Sequence, residues 1–325
     1  MDEYTFDAFI SYSHRDLSFG KWLQRKLETF PIPADMRGER PRGQKLRIFR
    51  DQTDLAGTGL QDSLKQNLRD SRFLIVSVTQ KEELEPDDIA FLIASAEEGN
   101  TKAILFLIDC YLHGWGTEQD FDQAFYWSQK GAELGDPKCM VALSNCYFNG
   151  EGVEKNPEES FKWNMKAAEA GDPSGMLNVG IDYEEGIGVE PDPAQAFAWY
   201  QKSAETGYDL GMYNLARCYL TGLGTERDPA NAFVWTEKLA NTGNASGMYN
   251  LGLMYQNGFG TQEDPALAYK WYKKAAEAGD ADGAYMTGWC WENNYGVTDP
   301  ASEWYKKASE LGSEKAAEAL NRLSE

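Results

Sequence analysis

Glycine recurs at Gly99, Gly135, Gly171, Gly207, Gly243 and Gly279, each 36 residues after the last. Eight residues before each of the last five stands a tryptophan: Trp127, Trp163, Trp199, Trp235 and Trp271. A fixed period of a few tens of residues is the signature of stacked supersecondary units. Such an array buries its core only between neighbours and offers an extended concave face to a partner. Most of the 325 residues therefore read as a binding scaffold. Any chemistry would have to come from the first 80 residues, which do not follow the period.

Residues 172–207 show how one unit is written. Asp172-Pro173 supplies an N-cap and a first-turn proline, opening a helix that runs to Glu185. Gly186 and Gly188 follow as turn residues, Asp192-Pro193 opens a second helix, and Gly207 closes it as a left-handed C-cap. Asn156-Pro157, Asp228-Pro229, Asp264-Pro265 and Asp299-Pro300 repeat the second start signal, while Asn294 replaces the first loop glycine in the last unit. Apolar residues fall at helical spacing, with small Ala196, Ser203 and Ala204 beside bulky Phe197, Trp199 and Tyr200. That mixture lets helices approach closely and interlock, so the tryptophan row reads as core.

Cys110, Cys146, Cys218 and Cys290 share one repeat position, where other units carry Asp182 and Met254. Cys139 takes a position otherwise held by Ala103 and four glycines. These are packing positions on inner helix faces rather than a disulfide framework; Cys139 and Cys146 would lie ~10 Å apart along one helix, too far to bridge.

With these residues in view, the units are similar to Sel-like repeats, relatives of the tetratricopeptide repeat. The resemblance spans residues 87–325 as six helix pairs with a half unit at each end, residues 87–98 and 313–324 being the halves. It implies a mostly α fold, a right-handed α-solenoid, acting as an adaptor that holds other proteins.

Residues 1–80 have a different grammar. Residues 7–11 read as a strand, a Pro/Gly/Arg-rich loop follows a helix, KLRIFRD reads as a second strand and RFLIVSV as a third. Strands alternating with helices imply a small parallel α/β sheet. DAFISYSHRD, FRDQTDLAGTG and SRFLIVSVT together resemble the bacterial TIR domain, which implies an incomplete flavodoxin-like segment joined to the array through the acidic residues 81–86. The resemblance makes Ser11, Tyr12 and Ser13 nucleotide contacts, and Arg50, Asp51, Asp54 and Leu55 an assembly loop for homotypic contacts. Some members cleave NAD with a glutamate held on a Ser-x-Trp-x-x-x-Glu helix. That helix has no counterpart here, and Glu82, Glu83 and Glu85 are only nearby carboxylates. The expectation is thus a scaffold or signalling adaptor without a cofactor, NAD cleavage being the alternative.

The charge is divided unevenly. Residues 1–80 carry 13 Lys+Arg and 11 Asp+Glu, against 18 and 41 in the remainder, a net charge of −23 there. So acidic a surface repels phosphate backbones and anionic lipid, which makes nucleic acid and membranes poor partners and a basic protein or peptide a good one. No run reaches the ~20 apolar residues of a membrane span. The opening MDEYTFDAF lacks a secretory pattern, so a reducing, cytoplasmic setting is expected. His14 and His113 are the only histidines, which disfavours a His-rich metal site.

Overall fold

The computed structural model describes residues 86–293, Tyr295 and residues 300–324. Ser11, Tyr12, Ser13, Arg50, Asp51, Asp54, Leu55 and the carboxylates Glu82, Glu83 and Glu85 all lie outside the described residues, as do Asn294 and Asp299.

Every regular element among the described residues is an α-helix. In chain order they are α1 (Pro86–Glu97), α2 (Thr101–His113), α3 (Phe121–Glu133), α4 (Pro137–Asn149), α5 (Pro157–Glu169), α6 (Pro173–Glu185) and α7 (Pro193–Glu205). There follow α8 (Asp209–Thr221), α9 (Pro229–Asn241), α10 (Ala245–Asn257), α11 (Pro265–Glu277), α12 (Ala281–Glu292), α13 (Ala301–Glu310) and α14 (Glu314–Ser324). The chain divides after Leu134 into two units. In the first, α1 packs on α2 and α2 on α3 around buried Leu92, Ile104, Leu107, Ile108 and Trp127. In the second, α4 to α13 form five hairpins in succession and α14 packs on α13.

Local chemistry sets the helix ends. The Asp172 carboxylate accepts the Gly175 N–H at 2.8 Å and caps α6, while Gly186 at φ 73° closes it by donating to Asp182 O. The next cap, Asp192, accepts from Ala194 and Gln195 at 3.0 and 3.1 Å. Its own N–H donates to Tyr183 O at 2.8 Å, which pins the loop to the end of α6. At the far end Thr206 is the cap residue, and Gly207 follows it at φ 87°. The left-handed residue is thus Gly207, as the sequence indicates, but it stands one step beyond the cap, which is Thr206.

The second loop glycine has a separate duty. A Cβ on Gly224 would sit 1.9 Å from Pro193 O, so only glycine lets this loop lie against the start of the preceding second helix. Gly188 against Pro157 and Gly260 against Pro229 repeat the contact. Between consecutive hairpins an edge-to-face aromatic pair recurs: Phe161–Tyr183, Phe197–Tyr219 and Phe233–Tyr255, with centroids 5.3–5.4 Å apart.

The tryptophan row is core on one side only. Trp127 and Trp199 are 3% and 9% exposed, and Trp199 packs against Ala168, Val179, Phe161 and Met165 of the neighbouring helices. Trp163, Trp235 and Trp271 are half-buried. A lysine one turn on covers the outer ring face: Lys166, Lys202, Lys238 and Lys274 lie 3.5–3.8 Å from the centroids of Trp163, Trp199, Trp235 and Trp271. The lysine stem shields the indole while its ammonium stays wet.

Candidate functional site

The first helix of each hairpin in the second unit has two flanks already taken. In α6 a Cβ at Gly175 would lie 2.7 Å from Ala167 Cβ on the preceding helix α5. A Cβ at Gly180 would lie 2.6 Å from the Tyr200 ring on the following helix α7. The third side of the circumference is open. In α8 that open side carries Leu210, 51% exposed, Tyr213, 44% exposed, and Arg217. The same register positions hold Ser246, Tyr249 and Leu253 in α10, and Asp282, Tyr285 and Trp289 in α12. A run of successive first-helix faces is therefore the surface that this unit leaves for another molecule.

Two kinds of hairpin occur in the array. Tyr200, Tyr272 and Tyr305 are fully buried on second helices, and opposite them stand Gly180, Gly252 and Gly288. Elsewhere the second-helix position is small or medium (Ser128, Asn164, Thr236) and the corresponding first-helix residue is larger than glycine (Ile108, Ser144, Ala216). Volume is thus exchanged between the two helices at close-packed density. The tyrosine hydroxyl also dictates what lies one turn further along the first helix. Tyr200 donates to Glu184 at 2.6 Å, Tyr305 to Glu292 at 2.6 Å, and Tyr272 to Gln256. Hairpins without the tyrosine carry apolar Leu112, Phe148 and Leu220 there.

Each glutamate is neutralised from the second helix further along the chain. Arg217 of α8 forms a two-pronged pair with Glu184 at 2.8 and 2.5 Å, and Arg322 of α14 pairs with Glu292 at 2.9 and 2.7 Å. The Arg217 hydrogen bonds hold the Glu184 carboxyl below the usual carboxylate range, against the upward push of burial and with help from Tyr200. Gln256 is neutral, and the matching position on α12 is Trp289 rather than an arginine. Charge at one register position is answered by charge in the adjoining repeat unit.

The remaining buried polar groups read as structural. Asp182 occupies the cysteine position, is 4% exposed, and accepts from Asn164 Nδ2 at 2.9 Å. Burial pushes its carboxyl up to about 6, partly offset by the Asn164 hydrogen bond. All five cysteines are buried and none is in a disulfide. Burial pushes the thiols of Cys110, Cys139 and Cys290 up to about 12 and that of Cys218 to about 11, so they are poor nucleophiles. Among the described residues no group of three or more His, Cys, Asp or Glu side chains could hold a metal ion. Nor is any described helix long and apolar enough to cross a membrane.

The residues proposed from the sequence as nucleotide contacts (Ser11, Tyr12, Ser13) and as an assembly loop (Arg50, Asp51, Asp54, Leu55) are not among those described. The open-face residues Leu210, Tyr213, Tyr249, Asp282 and Tyr285 were not singled out from the sequence. The recurrence of tyrosine at 213, 249 and 285 was the available signal. The Glu184–Arg217 pair leaves no motif, because its members lie 33 residues apart in different units of the repeat.

A Sel1 repeat family model matches residues 103–136, 137–172, 173–208, 209–244, 245–280 and 301–313. Among solved structures, the chain is similar to a protective antigen present in uropathogenic Escherichia coli strains displaying an SLR fold. The identity is 33% and the TM-score 0.65, over 72% of this chain and 51% of that one. The chain thus spans about half the length of that relative. It is also similar to a Sel1 repeat protein from Oxalobacter formigenes, at 26% identity and a TM-score of 0.58, over 69% of this chain and 90% of that one. No curated protein matches the chain.

Proposed function

Because this chain belongs to the Sel1 repeat family, whose members are generally protein-interaction scaffolds, we propose that it holds an extended basic segment of a protein partner on its open first-helix face. The supporting observation is that face itself: a register-matched row of exposed or half-buried aromatic and aliphatic side chains with acidic neighbours, on a rigid stack of hairpins. Aromatic anchors on a preformed surface lower the ordering cost of binding. The net charge of −23 beyond residue 80 favours encounter with a cationic partner.

In this reading residues 1–80 contribute homotypic contacts, by their resemblance to the TIR domain, with Arg50, Asp51, Asp54 and Leu55 as the assembly loop. That would make the molecule a signalling adaptor. A self-association constant from sedimentation, weakened by Asp54→Lys, tests that part separately.

The scaffold reading is tested by placing a photo-crosslinking amino acid in the full chain at Asn145 or Tyr213 on first helices, and at Glu169 or Glu205 on second helices. All four positions are exposed. Protein adducts should form from the first pair and not from the second. Adducts only from the second pair, or from none, would refute it.

A further inference from the structure

Three tyrosines stand at one register position on consecutive first helices, Tyr213, Tyr249 and Tyr285, 36 residues apart. They differ in kind from the buried row of Tyr200, Tyr272 and Tyr305, whose hydroxyls are all hydrogen-bonded. None of the three open-face hydroxyls has a hydrogen-bond partner among the described residues, and all three rings reach solvent. The rings of Tyr249 and Tyr285 rest on Tyr272 and Tyr305, with centroids 5.9 and 5.4 Å apart. They are thus braced from beneath by side chains that are fully buried and hydrogen-bonded. Exposed Leu210 lies one turn from Tyr213 on α8 and extends the ledge.

The cations beside the ledge, Arg217 and Arg322, are paired with Glu184 and Glu292, whereas carboxylates lie near its middle. Asp282 and Asp280, at the start of α12, reinforce by their charge the upward shift that burial gives the Tyr249 hydroxyl. Asp280 is occupied as the cap of α12, accepting the Gly283 N–H at 2.6 Å. Asp282 is exposed and has no ion-pair partner among the described residues. The first turns of α8, α10 and α12 contain no lysine or arginine that could neutralise it.

We infer that the Tyr213–Tyr249–Tyr285 ledge, with Asp282 at its side, is a seat for lysine or arginine side chains of an extended segment from a protein partner. The inference rests on the scaffold reading and specifies its chemistry. The alkyl stem of the incoming side chain lies along the tyrosine rings, its charge meets Asp282, and the ring faces add attraction for the cation. Helix packing sets neighbouring first helices roughly 10 Å apart, and a segment in the polyproline II conformation, with three residues per turn and a rise of ~3.1 Å, turns every third side chain to the same side at about that spacing. An acidic or purely apolar segment would leave Asp282 unanswered or repelled.

The test uses the full chain and fluorescence anisotropy of three short synthetic peptides on one serine-glycine background. They carry lysine, glutamate or glutamine at every third position. The lysine peptide should bind and the other two should bind at least about tenfold more weakly, a gap of 1.4 kcal/mol. Tyr213→Ser combined with Asp282→Lys should weaken the lysine peptide about tenfold or more, while Glu205→Lys on a second helix, an equal change of net charge, should alter it less than about twofold. Circular dichroism confirms that each variant is folded. Failure of the lysine peptide to bind, equal binding of the glutamate peptide, or equal loss in the Glu205→Lys control would overturn the inference. If the ledge variants have no effect while crosslinks still map to the first-helix face, the ledge assignment falls and the scaffold reading stands.

Discussion

Replacing Gly180 by alanine tests whether volume exchange between paired helices controls this array. Gly180 sits inside α6, where alanine is intrinsically favoured over glycine by about 1 kcal/mol. Against that, the added Cβ would come within 2.6 Å of two carbons of the Tyr200 ring. Tyr200 is fully buried and its hydroxyl is tied to Glu184, so the ring cannot swing away without breaking that bond. Overpacking of this kind costs about 1–3 kcal/mol, so Gly180→Ala should be destabilising by about 1 kcal/mol net. The α8–α9 hairpin supplies the remedy in its own residues, since it pairs Ala216 with Thr236. In a Tyr200→Thr background, itself destabilised by about 3–5 kcal/mol, Gly180→Ala should change sign and stabilise by up to about 1 kcal/mol. The coupling between the two changes should therefore be about 2 kcal/mol, favouring the double variant. Urea unfolding of the four proteins, followed by far-ultraviolet circular dichroism, measures it. If Gly180→Ala has the same sign and size in both backgrounds, the tyrosine-for-glycine exchange is not what positions these helices.

Trp199→Ala should cost about 3–5 kcal/mol, because the indole fills the junction between three helices; a loss under about 1 kcal/mol would show that the row is surface. Gly224→Ala should destabilise far more than Gly207→Ala. Both adopt positive φ, costing roughly 1–2 kcal/mol, but only at Gly224 would the new Cβ strike a backbone carbonyl, and equal melting shifts would refute the distinction. Asp182 is protonated more readily folded than unfolded, where a carboxyl titrates near ~4. Its burial therefore costs nothing below that value and progressively more as pH rises to about 6, so Asp182→Asn should stabilise by about 1–3 kcal/mol above that pH and not at acid pH. Glu184 runs the other way: its folded pKa is depressed, so its pairing stabilises above the unfolded value and is lost as pH falls through the folded one, and Arg217→Met should flatten the acid limb of a melting-temperature profile.

The array was legible in one dimension because its rules are local. Asp-Pro pairs start helices, glycine in the left-handed conformation stops them, and these signals recur with the period; the helix from Pro173 to Glu185 lies where the sequence alone put it. Cysteine burial followed from the same register, since a small apolar residue at a fixed repeat position must face a neighbour. What tertiary structure decided is how hairpins address one another. Trp199 and Trp271 look identical in the sequence and each lies beneath a lysine, yet one is buried and the other half-buried. Tyrosine occurs at two register positions, and only the packing separates Tyr200, locked against Gly180 and bonded to Glu184, from Tyr213, whose hydroxyl is left to solvent. Arg217 meets Glu184 because the rotation between adjacent hairpins brings them together, and no periodicity encodes that rotation. Helix ends are determined by residues within a turn of one another, whereas the binding face depends on side chains tens of residues apart meeting across a close-packed junction.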